Sequence, residues 1–216
     1  MKTSYFLLSI RYAVSIFLFI FSPISFGTII DLRNSSDFDG EYEIGFCARP
    51  SPDAIKNLPG HAFVSFSHIK KDGKRDFLSI GHTVQEGAKK EAAWSYFGDS
   101  VSGYLKEENY TSVMQLCLVV KVNKDKYEKA FNLTKNPLEN MGIIPSKDNR
   151  VLEAYKLGSN DCMSFMMSVA EIFSLYLEIP QRNNNEFPMD YMSRFIESNR
   201  KPKNPGLSMP EGLKIY

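Results

Sequence analysis

Side chains suited to chemistry at neutral pH are scarce in this sequence. Its 216 residues include three histidines, three cysteines and one tryptophan, and the chain shows no glycine-rich phosphate loop, internal repeat or low-complexity domain. An excess of one charge is also lacking, since 26 Lys and Arg balance 25 Asp and Glu. This near-neutral balance argues against a nucleic-acid partner, because phosphate binding needs a concentrated basic surface. The 43% hydrophobic and 24% charged composition is typical of one globular domain of mixed structure.

Long apolar runs are missing except near the N-terminus. Residues 1–27 contain Lys2 and Arg11, no acidic residue and an apolar run from residue 12 to residue 21, and they end in small residues. This pattern predicts a secretory signal peptide, cleaved before Thr28, and a secreted or periplasmic protein. An uncleaved anchor is the alternative, but Arg11 interrupts the apolar stretch, whose continuous part is shorter than the roughly 20 residues of a span. Cleavage lowers the 26 basic residues to 24 against 25 acidic ones, a net charge of −1.

The rest of the chain has the periodicities of an α+β domain. We expect residues 28–200 to form this domain and residues 201–216, which contain three prolines, to form a tail. Alternating or β-rich runs predict strands and helical spacing predicts helices. The predicted strands cover residues 42–48, 61–69, 76–84, 112–122 and 153–157, and the predicted helices cover residues 123–133, 161–177 and 188–197.

The three cysteines leave at least one free thiol in an oxidising compartment. Cys47 and Cys117 lie in strand-like runs, so they either bridge adjacent strands or remain two buried thiols, since unpaired cysteine is among the most buried residue types. In both cases Cys162 is left over.

Cys162 stands at the first turn of the predicted helix over residues 161–177. Apolar residues recur from there at helical spacing, at Phe165, Met166, Val169, Phe173 and Tyr176. The positive end of a helix stabilises a thiolate relative to a thiol, which makes Cys162 a candidate nucleophile. The carboxylate of Asp161 opposes this effect unless it is turned aside as the helix cap.

The candidate base must be one of three histidines, His61, His68 and His82, all of which precede Cys162. The predicted hairpin places His61 opposite His82 if its turn has four residues, or diagonally across if it has two; a three-residue turn upsets the pairing unless a bulge restores it. His68 points to the other face of its strand. We therefore predict that His61 is the base and that His82 orients it or shares its proton.

Simpler interpretations use the same residues. A histidine on a strand is usually a hydrogen-bonded, half-buried residue, and a cysteine at a helix start is often only a packing residue. A zinc site of His61, His82 and Cys162 is a further alternative, but the paired short spacings that mark zinc ligands are absent. We expect neither a metal nor a cofactor.

Two segments resemble a known superfamily. Tyr155-Lys156-Leu157-Gly158-Ser159-Asn160-Asp161-Cys162, with Phe165, resembles the cysteine segment of the lecithin–retinol acyltransferase-like proteins, and Asp161-Cys162 with Phe165 is also similar to the cysteine segment of the NlpC/P60 family. Pro59-Gly60-His61-Ala62-Phe63-Val64 is similar to the histidine strand of the first group. Here Asp161 separates Asn160 from Cys162, and the hairpin is longer than usual. The resemblance implies a circularly permuted papain-like fold, in which an antiparallel sheet packs against the helix that begins with the cysteine.

The same resemblance implies acyl transfer by a Cys-His(-His) site through an acyl-enzyme. Cys162 would attack an amide or ester carbonyl, His61 would carry the proton and His82 would fix the imidazole. The Cys162 backbone N–H and Tyr155 would hold the oxyanion, although Tyr155 is equally explained as a packing residue. The candidate substrates are cell-wall peptides and acyl lipids, with contact to a membrane or cell-wall surface. A non-catalytic module that binds a peptide or lipid in the same fold is the alternative.

Overall fold

A seven-stranded sheet forms the centre of the protein. The computed structural model describes residues 26–50, 60–84, 88–108, 115–140 and 151–200. The strands are β1 Phe26–Asp31, β2 Gly40–Arg49, β3 His61–Lys70, β4 Arg75–Val84, β5 Val101–Glu107, β6 Leu116–Val122 and β7 Val151–Tyr155. They lie in the order β1-β6-β2-β3-β4-β5-β7, and every neighbouring pair is antiparallel except β1 and β6, which are parallel.

Four helices accompany the sheet in the described part of the chain. They are α1 Lys89–Trp94, α2 Lys124–Asn140, α3 Cys162–Ala170 and α4 Pro188–Ser198, and a 3-10 turn Glu171–Phe173 follows α3. Among these described residues, no helix combines the length and the apolar character that crossing a membrane requires.

The main core lies between one face of the sheet and the helices α3 and α4. Alternation along the strands places Ile44 and Phe46 of β2 and Phe66 of β3 in this core, all with no exposed surface. The ring of Phe46 lies 6.2 Å from that of Phe173 and 5.8 Å from that of Phe195, so it joins the sheet to both helical segments. Each fully buried side chain of this kind contributes about 1.5–3 kcal/mol to folding. This packing fixes the position of α3.

These features confirm the predicted α+β class, with a largely antiparallel sheet packed against the helix that begins at Cys162. The architecture is consistent with a papain-like fold. The predicted tail over residues 201–216 and residues 1–25 of the predicted signal peptide lie outside the described residues. Phe26 and Gly27, the last two residues of that predicted signal, pair with β6 as the first residues of β1.

The structure corrects three predicted elements. The α3 helix ends at Ala170 rather than Leu177, because the chain tightens into the 3-10 turn and both Tyr176 N and Leu177 N donate to Phe173 O. The α2 helix continues to Asn140, beyond the predicted end near residue 133. The sheet is not wholly antiparallel, because β1, which was not predicted, pairs in parallel with β6.

Candidate active site

Cys162 is the first residue of α3, and the cap of that helix is built by its neighbour. The Asp161 carboxylate accepts hydrogen bonds from Met163 N at 3.0 Å and Ser164 N at 3.2 Å, while Asp161 N donates to Ser164 Oγ at 2.6 Å. This reciprocal capping box fixes the start of the helix. Asp161 is therefore turned aside as the helix cap, one of the two possibilities that the sequence left open, and Cys162 is a buried free cysteine directly after it.

The His61 imidazole lies between Cys162 and Glu108. His61 begins β3, and its Nε2 is 3.1 Å from Glu108 Oε1, with both side chains largely buried. Burial alone would lower the pKa of His61, but hydrogen bonds to the Cys162 side chain and to Glu108, together with their charges, raise this pKa to about 9. The structure thus brings the predicted nucleophile and the predicted base together.

A glycine in β4 provides the space for this contact. A Cβ atom at Gly81 would collide with His61 Nε2 and would stand 3.1 Å from Glu108 Oε1. Glu108 reaches the same place because its backbone N donates to Ser79 O at 2.7 Å, which continues the pairing of β5 with β4 by one residue. The imidazole and the carboxylate therefore meet above Gly81.

His82 is not the cross-strand partner of His61, so that prediction is wrong. Lys70 and Lys74 close a three-residue turn, in which Gly73 has a φ of 81°, and the β3–β4 pairing ends at Val64 opposite Ile80. This is the turn length that moves the pairing by one residue. His82 instead pairs with Leu105 of β5, on the opposite side of β4 from the space above Gly81.

Tyr155 lies close to the cysteine and against His82. The two rings are 5.2 Å apart with their planes at 65°, and both side chains are buried. Burial raises the pKa of Tyr155 well above its usual value, and the charges of Cys162 and Asp161 raise it further, while Arg182 partly offsets the rise. The phenol is therefore neutral at neutral pH and keeps a proton to donate.

The remaining histidine and cysteines lie elsewhere in the fold. His68 stacks on Tyr42 with ring centroids 4.3 Å apart, and its Nε2 is 3.2 Å from the backbone oxygen of Asp39. Cys47 and Cys117 form a disulfide between β2 and β6, which resolves the two possibilities that their spacing allowed. Both features belong to structural contacts away from Cys162.

Sequence reasoning missed Glu108, Gly81 and Arg182. Gly81 carried a usable signal, because a glycine inside a strand often marks a close approach of another group. Glu108 carried none, since it stands beside another glutamate, Glu107, at the end of β5. Arg182 lies 20 positions after Cys162 in an irregular segment, yet its Nη1 is 2.7 Å from Asp161 Oδ2.

Within the described ranges, no three His, Cys, Asp or Glu side chains come together as a metal site would require.

Comparisons with known proteins assign the chain to no family. No family model matches the chain, and no curated protein matches it. Among solved structures, the chain is similar to the crystal structure of the type VI secretion system effector TseH. The TM-score is 0.36 and the sequence identity 13%, over 75% of this chain and 91% of that one.

Proposed function

We propose that the protein is a cysteine-dependent hydrolase or acyltransferase that cleaves an amide or ester bond through an acyl-enzyme intermediate. The observation that carries this proposal is the position of His61, hydrogen bonded to Cys162 and also to Glu108. A nucleophile, a base and a group that orients the base are the parts that nucleophilic catalysis requires.

The proposed reaction begins from a Cys162 thiolate paired with a His61 imidazolium, because the pKa of His61 is raised to about 9 and the ring holds the proton that the thiol gives up. The thiolate attacks the carbonyl carbon, and the resulting tetrahedral intermediate collapses as the His61 imidazolium protonates the leaving amine or alcohol. His61 then removes a proton from water, which attacks the thioester, and the second tetrahedral intermediate releases the acid product and the Cys162 thiolate, which restores the pair with the His61 imidazolium. An amine or alcohol in place of water makes the reaction a transfer.

Glu108 takes the orienting role that the sequence assigned to His82. Because its carboxylate faces Nε2, we assign the proton exchange with the sulfur to the other ring nitrogen, Nδ1. The negative charge of Glu108 also stabilises the imidazolium form of His61. His82 supports the site less directly, through its ring contact with Tyr155.

The oxyanion of the tetrahedral intermediate needs two donors. The Cys162 backbone N–H lies in the first turn of α3, next to the two N–H groups that Asp161 caps, and is our proposal for one donor. The Tyr155 hydroxyl is our proposal for the second, supported by its nearness to Cys162 and by the raised pKa that keeps it protonated. Its contact with His82 agrees equally with a packing role.

We infer that the protein works outside the cytoplasm. The Cys47–Cys117 disulfide supports this, because such bonds persist in oxidising compartments, and the N-terminal signal pattern points the same way. In an exported setting, the candidate substrates are the amide bonds of cell-wall peptides and the acyl esters of lipids.

The test compares wild type with Cys162→Ala on solubilised peptidoglycan and on phospholipid vesicles, with product release followed by mass spectrometry. We expect wild type to release product from one substrate and Cys162→Ala to release none. Absence of turnover of both by wild type would defeat the enzymatic proposal. Iodoacetamide then tests the rival binding module, for which we expect a thiol that reacts only as an ordinary one, ionising near pH 8.5.

A further inference from the structure

A buried carboxylate directly precedes the proposed nucleophile. Asp161 has no exposed surface, and Cys162 is the next residue in the chain. A negative charge on the neighbouring residue opposes formation of a thiolate at Cys162, and the repulsion is strong where burial reduces screening by water. The site therefore needs something that offsets the charge of Asp161.

Arg182 is placed to do this. Its Nη1 lies 2.7 Å from Asp161 Oδ2, and the arginine side chain is itself 18% exposed. The same carboxylate oxygen accepts a hydrogen bond from Gly158 N at 2.7 Å, while the other oxygen caps α3. The two oxygens thus have separate tasks, and the arginine supplies the one positive charge among these hydrogen-bond donors.

The charged and titratable groups around Cys162 come from several elements. Besides Asp161 and Arg182, four such groups surround the cysteine. Two are a histidine and the carboxylate bonded to it, and two are a neutral phenol and the histidine that packs against it. These groups are His61 of β3, Glu108 after β5, Tyr155 of β7 and His82 of β4. The influence of Arg182 extends past Asp161, because its charge also acts on Tyr155.

We propose that Arg182 is a positioning residue, which neutralises Asp161 and so lets a thiolate form at Cys162 beside a buried carboxylate. This inference rests on the proposed function, because it assigns a role to Arg182 in preparing the nucleophile of that reaction. A purely structural role for the ion pair is the opposing view.

The test measures the rate of alkylation of the folded, disulfide-containing protein by iodoacetamide between pH 5 and pH 9. Cys162 is the free thiol, since Cys47 and Cys117 are bonded to each other. We expect Arg182→Met to slow alkylation at pH 6 by at least about tenfold, as one unit charge does at short range in a partly buried site. Arg182→Lys keeps the charge and should restore most of the rate.

A double variant separates charge from structure. Asp161→Asn combined with Arg182→Met removes both charges while asparagine keeps the cap, and we expect it to recover the alkylation rate at pH 6 that Arg182→Met loses. Arg200→Met is the matched control, because it breaks a pair with Glu197 in which both side chains are exposed and the closest atoms are 2.8 Å apart. This control should leave the profile unchanged.

The outcomes distinguish this inference from the proposed function. Equal profiles for wild type and Arg182→Met overturn the role of Arg182, and so does a double variant that stays as slow as Arg182→Met. If Arg182→Met fails to fold, the double variant and Arg182→Lys decide, because slow alkylation at pH 6 by a folded form of either contradicts an electrostatic role. Hydrolysis assays do not enter this result, so a protein without hydrolytic activity can still support or refute it.

Discussion

The Nε2 atom of His61 lies 3.1 Å from Oε1 of Glu108, above a strand position that glycine occupies. Two residues 47 positions apart in sequence meet here because β3 and β5 lie on either side of β4. A base held on one nitrogen presents the other in a fixed direction, which is the condition for efficient proton transfer. The geometry of the proposed site therefore depends on the middle strand as much as on the groups that would react.

Replacement of Gly81 by alanine should disable the site. The added methyl group would collide with His61 Nε2, so the imidazole must move from its place beside Glu108. We expect turnover to fall at least about 100-fold, the scale of a lost general base. Steady-state assays on the substrate found for wild type measure this loss.

Gly98→Ala is the control for that substitution. A Cβ atom there would lie 3.7 Å from the nearest neighbour, Trp94 O, which is ordinary contact. We expect Gly98→Ala to have the same turnover and the same melting temperature as wild type. Unchanged turnover in Gly81→Ala would show that the His61–Glu108 contact is dispensable.

The protonation of His61 should extend to unusually high pH. Because the pKa of His61 is raised to about 9, the imidazolium is present throughout the neutral range and is lost only as the pH rises through about 9. We expect an imidazole carbon-bound proton resonance that titrates near pH 9 by NMR, and that disappears in His61→Gln. Cys162→Ala should lower this pKa, because the sulfur is one of the two groups that favour the charged ring. Titration near the ordinary value of about 6.5 would contradict the arrangement.

Glu108→Gln tests the orienting group. The amide keeps a hydrogen-bonding oxygen but removes the negative charge, so the imidazolium loses stabilisation and the pKa of His61 should fall from about 9. The alkaline limit of turnover should move to lower pH by at least about one unit, and kcat should fall on the order of 100-fold. The pH profiles of kcat and of kcat/KM measure both effects.

The neighbouring Glu107→Gln is the matched control. Glu107 is exposed, and its replacement by glutamine removes the same charge from the adjacent position. We expect its pH profile to coincide with that of wild type. If both glutamates shift the profile equally, a general field effect explains the result better than a specific contact with His61.

Local patterns predicted the hairpin and the helix that begins at the cysteine. The partner of His61 could be identified only from the order and pairing of the strands in the sheet. The choice of His61 rested on the small number of histidines and on the hairpin face that it was predicted to share with His82. The role given to His82 depended on a turn length that Lys70 to Lys74 left ambiguous, and one residue reverses the face of every later side chain. Glu108 could not be found because the β4–β5 pairing, which brings it to Gly81, has no marker in the sequence. β1 was missed because it overlaps the end of a signal-like segment.

The disulfide should stabilise the fold without serving the proposed chemistry. Cys47 and Cys117 close a loop with a sequence separation of 70, for which the loss of chain entropy in the unfolded state predicts about 4 kcal/mol. They cluster with Phe63, apart from the core that contains Cys162. Cys47→Ala combined with Cys117→Ala should lower the free energy of unfolding in urea by about this amount. The rate at which Cys162 is alkylated should stay at the wild-type value.

A thiol count provides the control for this prediction. Denatured wild-type protein purified without reductant should expose one reactive thiol, from Cys162, and three after reduction. The double variant should expose one thiol under both conditions. Three thiols before reduction would show that β2 and β6 are not bridged, and a large change in Cys162 alkylation in the folded variant would show that the bridge also shapes the site.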